Sequence, residues 1–216
     1  MINLNSLLKY KEIENLGYDT VYVEKPVADL VDFDWKSILD QPPENNSKET
    51  LSELKLISKE TLNRTNKDIE LVKIIDQYPE KLFMEITDRY SLKYPAEKVE
   101  EFYSLIKPIL LNIKSLWNRP RPAQLAKYFN IPIDVIVTDT HHTAAYPSGH
   151  TAYSKLISLI VKDTYPQISY GELNKIVDQT AKARIMQGVH YPSDNMASLE
   201  LVQFLFDKLQ PKLKIS

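Results

Sequence analysis

RIMQGVHYPSD, residues 184–194, is the stretch on which the architecture turns. On one continuous helix, Arg184 and His190 would lie on well-separated faces, because a six-residue step does not return to the same side. Gly188 and Pro192 resolve the conflict. A helix that stops after Gln187 can turn through 188–191 and restart at Pro192, which is favoured as a first helical residue. Asp194 then falls in the first turn of the new helix, close enough to accept a hydrogen bond from the imidazole of His190.

Upstream, YPSGH at 146–150 precedes an apolar set, Tyr153, Leu156, Ile157, Leu159 and Ile160, that recurs at helical intervals. Ser148-Gly149 therefore opens a helix. Free N–H groups and the positive end of the macrodipole make such a start an anion site. Gly149 carries no Cβ to hold an oxyanion off that backbone, and His150 lies in the first turn beside it. Farther upstream, KSLWNRPRP at 114–122 contributes Lys114 and Arg121. The three stretches reduce to K-x6-R-P, P-S-G-H and R-x5-H-x3-D. Lys114, Arg121 and Arg184 suit a tetrahedral oxyanion, since guanidinium forks bind its oxygens in pairs and an ammonium adds a point charge. The guest that fits is a phosphoryl group. Arg119 and its flanking prolines read as a rigid extended turn, outside the catalytic set.

These residues outline nucleophilic catalysis with an oriented base. His190 attacks phosphorus while Asp194 holds the other ring N–H and fixes the tautomer. His150 protonates the departing alkoxide and later takes a proton from water. The cations and the Gly149 N–H stabilise charge on the equatorial oxygens. No cysteine, H-x3-H pair or H-E-x-x-H signature is present, so no metal is expected as a cofactor.

The pattern resembles the signature of the type 2 phosphatidic acid phosphatase (PAP2) superfamily, which joins class A bacterial acid phosphatases, membrane lipid phosphatases and vanadium-dependent haloperoxidases. Every motif position matches except Ala183, where serine is usual. The resemblance covers about 105–201, with weaker similarity at 42–47. It implies that Lys114, Arg121, Ser148, Gly149 and Arg184 bind phosphate, His150 is the acid, His190 the nucleophile and Asp194 its partner. It also implies an all-α, single-domain helical bundle at 47–212, preceded by an irregular N-terminal arm at 1–46.

Composition bounds the function further. The chain has 216 residues, 43% hydrophobic and 26% charged, enough for one domain with a sizeable core. A formal charge of −2 gives no electrostatic case for nucleic acid. The N-terminus lacks an apolar signal core. The densest apolar run, 156–161, falls far short of the ~20 residues that cross a bilayer. The expectation is therefore a cytoplasmic or otherwise soluble, metal-independent acid phosphatase that hydrolyses small phosphomonoesters through a phosphohistidine, with vanadate as an inhibitor. A homo-oligomer is compatible with the sequence. A vanadium-dependent haloperoxidase with vanadate as cofactor, or a non-catalytic phosphate-binding protein of the same fold, stands as the alternative. A lipid phosphatase is disfavoured for want of membrane helices.

Along the chain, Val21-Tyr22-Val23 reads as a short strand, and helical patterning begins after Ser47, with Leu51, Leu54 and Ile57, then Ile69, Val72 and Ile75. Further helices are expected at 79–88, 96–116, 149–163, 170–187 and 192–209, each amphipathic and requiring neighbours. Segment 130–145 is a long pinned loop. His141 and His142 within it read as an exposed pair, or as a lining of the leaving-group side. Trp117 and Tyr146 are candidates for the pocket wall, and loops 40–47 and 138–146 for substrate discrimination.

Overall fold

The computed structural model describes residues 38–213, which are helical and irregular with no strand among them. The short strand expected at 21–23 lies outside the described residues. Helix α1 spans Lys48–Asn63, α2 Asn66–Gln77, α3 Lys81–Arg89, α4 Ala96–Trp117, α5 Pro122–Ala126, α6 Gly149–Thr164, α7 Tyr170–Met186 and α8 Pro192–Leu213. The expected helices are therefore present, with boundaries displaced by a few residues. The short α5 and the 3-10 turn Lys127–Phe129 that continues it were not foreseen, because five residues are too few to display an apolar period.

Local chemistry accounts for the ends. Ser47, Ser148 and Ser169 cap α1, α6 and α7 by accepting N–H bonds from Thr50, Thr151 and Glu172. Thr65 and Asp68 form a reciprocal capping box at the start of α2. Helix α4 ends in a left-handed Asn118, whose N–H returns to Lys114 O.

Helix α6 is the axis of the bundle, packed against α4, α7 and α8. Its Leu156, Ile157, Ile160 and Val161 are fully buried with Phe102, Ile113, Leu173, Leu201 and Leu205 in the main apolar cluster. Helices α1 and α2 lie on α7 from the other side. There a second cluster gathers Leu54, Ile57, Leu125 and Tyr191. Ala183 joins Val72, Ile75 and Met186 in a third. Its methyl thus belongs to the packing behind Arg184.

Loop 130–145 is pinned as expected. Ile136 N–H donates to Gln187 O at 3.1 Å, and Arg64 holds both the carbonyl and the carboxylate of Asp134. Gly188 adopts φ +83°, where a Cβ would stand 3.0 Å from Ile133 Cγ2 and 3.3 Å from both Thr61 Cγ2 and Val135 Cγ2. The turn that ends α7 therefore needs glycine twice over, for its backbone angle and for the close approach of the loop.

Candidate active site

Backbone hydrogen bonds bring the three motifs into register. Ala145 N–H donates to Arg119 O at 2.9 Å, and Ser148 N–H donates to Asp194 O at 3.1 Å. Ser198 Oγ adds a bond to Ser148 O at 2.8 Å. The start of α6 is thus stitched to the segment after α4 on one side and to α8 on the other.

His190 lies at the junction. Helix α7 stops at Met186, with Gln187 as its cap, and α8 restarts at Pro192, so the ring is carried on the expected turn. Its Nδ1 lies 3.2 Å from Asp194 Oδ2 and its Nε2 2.9 Å from Arg121 Nη1. Asp194 Oδ2 also accepts the Tyr191 N–H at 2.9 Å. With its carboxylate held from two sides, Asp194 directs Nδ1–H inward and leaves the Nε2 lone pair toward Arg121. Burial holds the His190 pKa well below the usual imidazole value, and the cations Arg121, Lys114 and Arg184 push it the same way. A neutral imidazole is the outcome.

The cations surround this ring. Lys114, in the last turn of α4, donates from Nζ to Ala144 O at 2.6 Å. Burial and the neighbouring Arg121 hold its ammonium well below the usual lysine value. Arg121 donates from Nε to Thr143 O at 2.9 Å and from Nη1 to Val189 O at 2.8 Å. Arg184 donates from Nη1 to Asp76 Oδ1 at 2.6 Å. Its Nε and Nη2 are buried with no hydrogen-bond partner among the described residues. Buried N–H groups of a guanidinium are costly to leave unmade. They are the donors an incoming oxyanion would meet.

At the start of α6 the expected helix N-terminus is present, and among the described residues nothing apart from its chain neighbours and its own helix backbone lies within 4 Å of where a Gly149 Cβ would stand. The Ser148 hydroxyl is engaged in the helix cap: it accepts from Thr151 N and donates to Thr151 Oγ1 at 3.0 Å. Gly149 and His150 are half-buried, whereas Lys114, Arg121, Arg184 and His190 are buried. His150 Nε2 donates to Asp76 O at 3.1 Å. Loss of water around the ring and the charge of Arg184 pull its pKa down to about 3.

Three side chains, Asp76, Arg119 and Glu53, join the site without having been assigned to it from the sequence. Asp76, near the end of α2, takes Arg184 on its carboxylate, and it also accepts from Thr140 Oγ1 and from Gln187 Nε2. Arg119, assigned above to a turn, is fully inside. Its Nη1 meets Asp194 Oδ1 at 2.7 Å and its Nη2 meets Glu53 Oε2 at 3.1 Å. Both acids had a legible signal. Asp76 is four residues after Val72, and Glu53 is next to Leu54 and four before Ile57, so both carboxylates sit on apolar faces, where an unpaired acid would not be tolerated. The exposed pair expected at 141–142 is corrected: His141 is fully buried, with Nδ1 3.1 Å from Thr138 Oγ1, and only His142 remains half-buried. The pinned loop turns His141 inward. Tyr146 donates from its hydroxyl to Asp40 O at 2.7 Å, tying loop 40–47 to the motif. No group of metal-ligating side chains is assembled among the described residues.

No protein-family model matches the sequence. No curated protein matches it either. Among solved structures, the fold is similar to a transmembrane PAP2-type phosphatidylglycerolphosphate phosphatase from Bacillus subtilis, with a TM-score of 0.53 and 16% identity over 79% of this chain and 90% of that one. At that identity the likeness carries the fold, and the described residues have the all-α fold of the PAP2 superfamily. It also corrects the expectation of a soluble acid phosphatase. The neighbour with this fold is a membrane enzyme, so the architecture does not direct the chain to the soluble acid phosphatases. No helix among the described residues is long and apolar enough to cross a membrane. That property belongs to the outward faces of the helices, whereas a site of this kind is built on their inward faces, and the two vary independently.

Proposed function

We propose that this chain, with its PAP2-type fold, is a phosphatase that hydrolyses phosphoric monoesters through a phosphohistidine at His190. The observation that carries the reading is the placement of His190 between Asp194 at 3.2 Å and Arg121 at 2.9 Å, with the Nε and Nη2 of Arg184, unpartnered among the described residues, in the same buried cluster. An oriented neutral imidazole beside a fork of cations is what in-line attack on a phosphate ester requires.

In this reading the Nε2 lone pair of His190 forms the N–P bond as the ester P–O bond breaks, and the phosphoryl oxygens take the Arg121, Arg184 and Lys114 donors and the N–H groups at the start of α6. Asp194 balances the positive charge that develops on the ring. His150, once protonated, gives its proton to the leaving alkoxide. Water then attacks phosphorus, gives a proton back to His150 and releases phosphate and neutral His190. Burial first and Arg184 second hold the His150 pKa down, so a bound dianion that offsets Arg184 would raise it. Vanadate, five-coordinate on His190, imitates the transition state and is expected to inhibit in competition with substrate.

The experiment is phosphate release from a panel that includes phosphatidylglycerolphosphate in mixed micelles and small alkyl and aryl phosphates, with wild type beside His190→Ala. Turnover and an acid-labile phosphoenzyme in wild type, both lost in the variant, are expected. Equal turnover in the two proteins, or noncompetitive inhibition by vanadate, would place the chemistry elsewhere.

A further inference from the structure

Behind the catalytic carboxylate lies a second buried ion network that the reaction as written does not use. Arg119 is 2% exposed, and its guanidinium stacks on the Tyr191 ring with 3.8 Å from Cζ to the centroid. One nitrogen, Nη1, donates to Asp194 Oδ1 and to Ser193 Oγ, both at 2.7 Å. The other, Nη2, reaches Glu53 Oε2 at 3.1 Å. Glu53 in turn accepts the Ser193 N–H at 2.6 Å and the Ser193 hydroxyl at 2.9 Å. Charges therefore alternate inward from α1: Glu53 minus, Arg119 plus, Asp194 minus, then His190.

We infer that Arg119, backed by Glu53 and Ser193, is a positioning residue for the nucleophile: by occupying Asp194 Oδ1 it leaves Oδ2 for His190, and its charge sets how strongly Asp194 draws a proton onto the ring. The inference rests on the assignment of His190 as nucleophile. Geometry supports it first, since a planar fork can hold Asp194 and Glu53 on separate nitrogens while its face lies on Tyr191, which a lysine ammonium cannot do. Electrostatics point the same way. Burial alone would lower the Arg119 pKa, but Asp194, Tyr191 and Glu53 more than offset it, so the cation is secured. Glu53 is raised by burial, against the pull of Arg119 and the Ser193 bonds.

The groups facing His190 are Asp194, Arg121, Lys114, Arg184 and His150; those facing Arg119 are Asp194, Glu53 and Tyr191. Removing the Arg119 charge lets Asp194 favour imidazolium, so His190 gains proton affinity. Removing the Glu53 charge leaves Arg119 less compensated, so His190 loses it. The two changes act in opposite directions, which a purely structural role would not produce.

The test compares R119Q, R119K and E53Q with wild type, all checked by circular dichroism and thermal melting. Two readouts are taken: the acid limb of kcat/KM, and the His190 imidazole titration followed by 15N NMR, which requires no turnover. For R119Q, kcat should fall about 10- to 100-fold, the usual cost of losing a partner that orients a reactive side chain, with KM changed much less. Its acid limb and imidazole titration should move to higher pH. E53Q should move both to lower pH. R119K should lower kcat while leaving the limb near wild type, because charge is kept and the fork is lost. Should R119Q fail to fold, R119K and E53Q still decide between the outcomes. Shifts in the same direction for R119Q and E53Q, no shift in either folded variant, or full kcat in R119K would overturn the positioning role. A wild type that titrates as described but releases no phosphate would overturn the phosphatase reading, and with it the catalytic part of this one.

Discussion

Asp76 holds Arg184 by its side chain, Oδ1 to Nη1 at 2.6 Å, while its own main-chain oxygen accepts from His150 at 3.1 Å. One residue of α2 thereby fixes two members of the site that come from α7 and α6. The pair is buried on both sides, with each side chain about 1% exposed, so neither charge has water to fall back on. The Asp76 carboxyl is held down at about 2: burial opposes ionisation, but Arg184 and the Thr140 hydrogen bond prevail.

Asp76→Ala should leave the Arg184 guanidinium buried without its counter-charge, a change that typically costs about 3–5 kcal/mol. A bound oxyanion would restore part of that loss, because it supplies the missing negative charge. Thermal melting with and without vanadate is the measurement: the variant should melt lower than wild type and gain more from vanadate. An equal gain in the two proteins would mean that the anion does not bind at Arg184.

His150→Ala tests the general acid. Loss of a positioned acid costs roughly 10²–10⁴-fold where the leaving group is a poorly stabilised alkoxide, and less where it is an aryl oxide. The variant should therefore retain a larger fraction of wild-type kcat on a nitrophenyl phosphate than on an alkyl phosphate. Uniform losses would reduce His150 to a phosphate ligand and redirect attention to His142 and His141.

Acid should weaken the fold before it protonates Asp76. His150 is held at about 3 and His141 at about 4, in both cases by loss of water first and then by the arginine charges, against an ordinary value of 6.5. Between 6.5 and those lower values the unfolded chain binds protons that the folded chain refuses, so stability falls as pH drops through this window. Asp76 adds a loss of the same sign farther down, where its stabilising ionisation, complete above 3.8, disappears toward 2. The melting temperature should decline from pH 7 to pH 4.5, less steeply in His141→Gln. A flat or rising profile would contradict the desolvation of both rings.

Gly188→Ala should destabilise by about 1–3 kcal/mol, because a Cβ is strained at positive φ and would stand 3.0 Å from Ile133 Cγ2. The strain falls on the turn that carries His190, so turnover should drop as well. Denaturant unfolding compared with Gly171→Ala, where a Cβ would meet only Ser169 Oγ at 3.5 Å, separates this from a general cost of adding a methyl to a helix-end glycine. Similar midpoints for the two variants would remove the argument.

The sequence by itself determined the parts whose constraints are local. Helix periods, serine caps, the stop after Gln187 and the restart at Pro192 all follow from rules that span a few residues, and so did the placing of Asp194 next to His190. The joint occurrence of K-x6-R-P, P-S-G-H and R-x5-H-x3-D marked Lys114, Arg121 and Arg184 as candidate anion ligands. Tertiary structure alone decided what each charge meets. Asp76 and Arg184 are 108 positions apart, and Arg119 and Glu53 are 66 apart; no local pattern pairs such residues, although an acid on an apolar helix face signals that a partner must exist. Arg119 read as a rigid extended turn outside the site because of its flanking prolines, and His141 read as exposed because loops mostly run over the surface. Both were drawn inside by long-range contacts, Arg119 by two buried carboxylates and a tyrosine ring, His141 by a loop pinned to Arg64 and Gln187. Burial is a property of the whole packed chain, and so the partners of buried charges are settled only when the helices assemble.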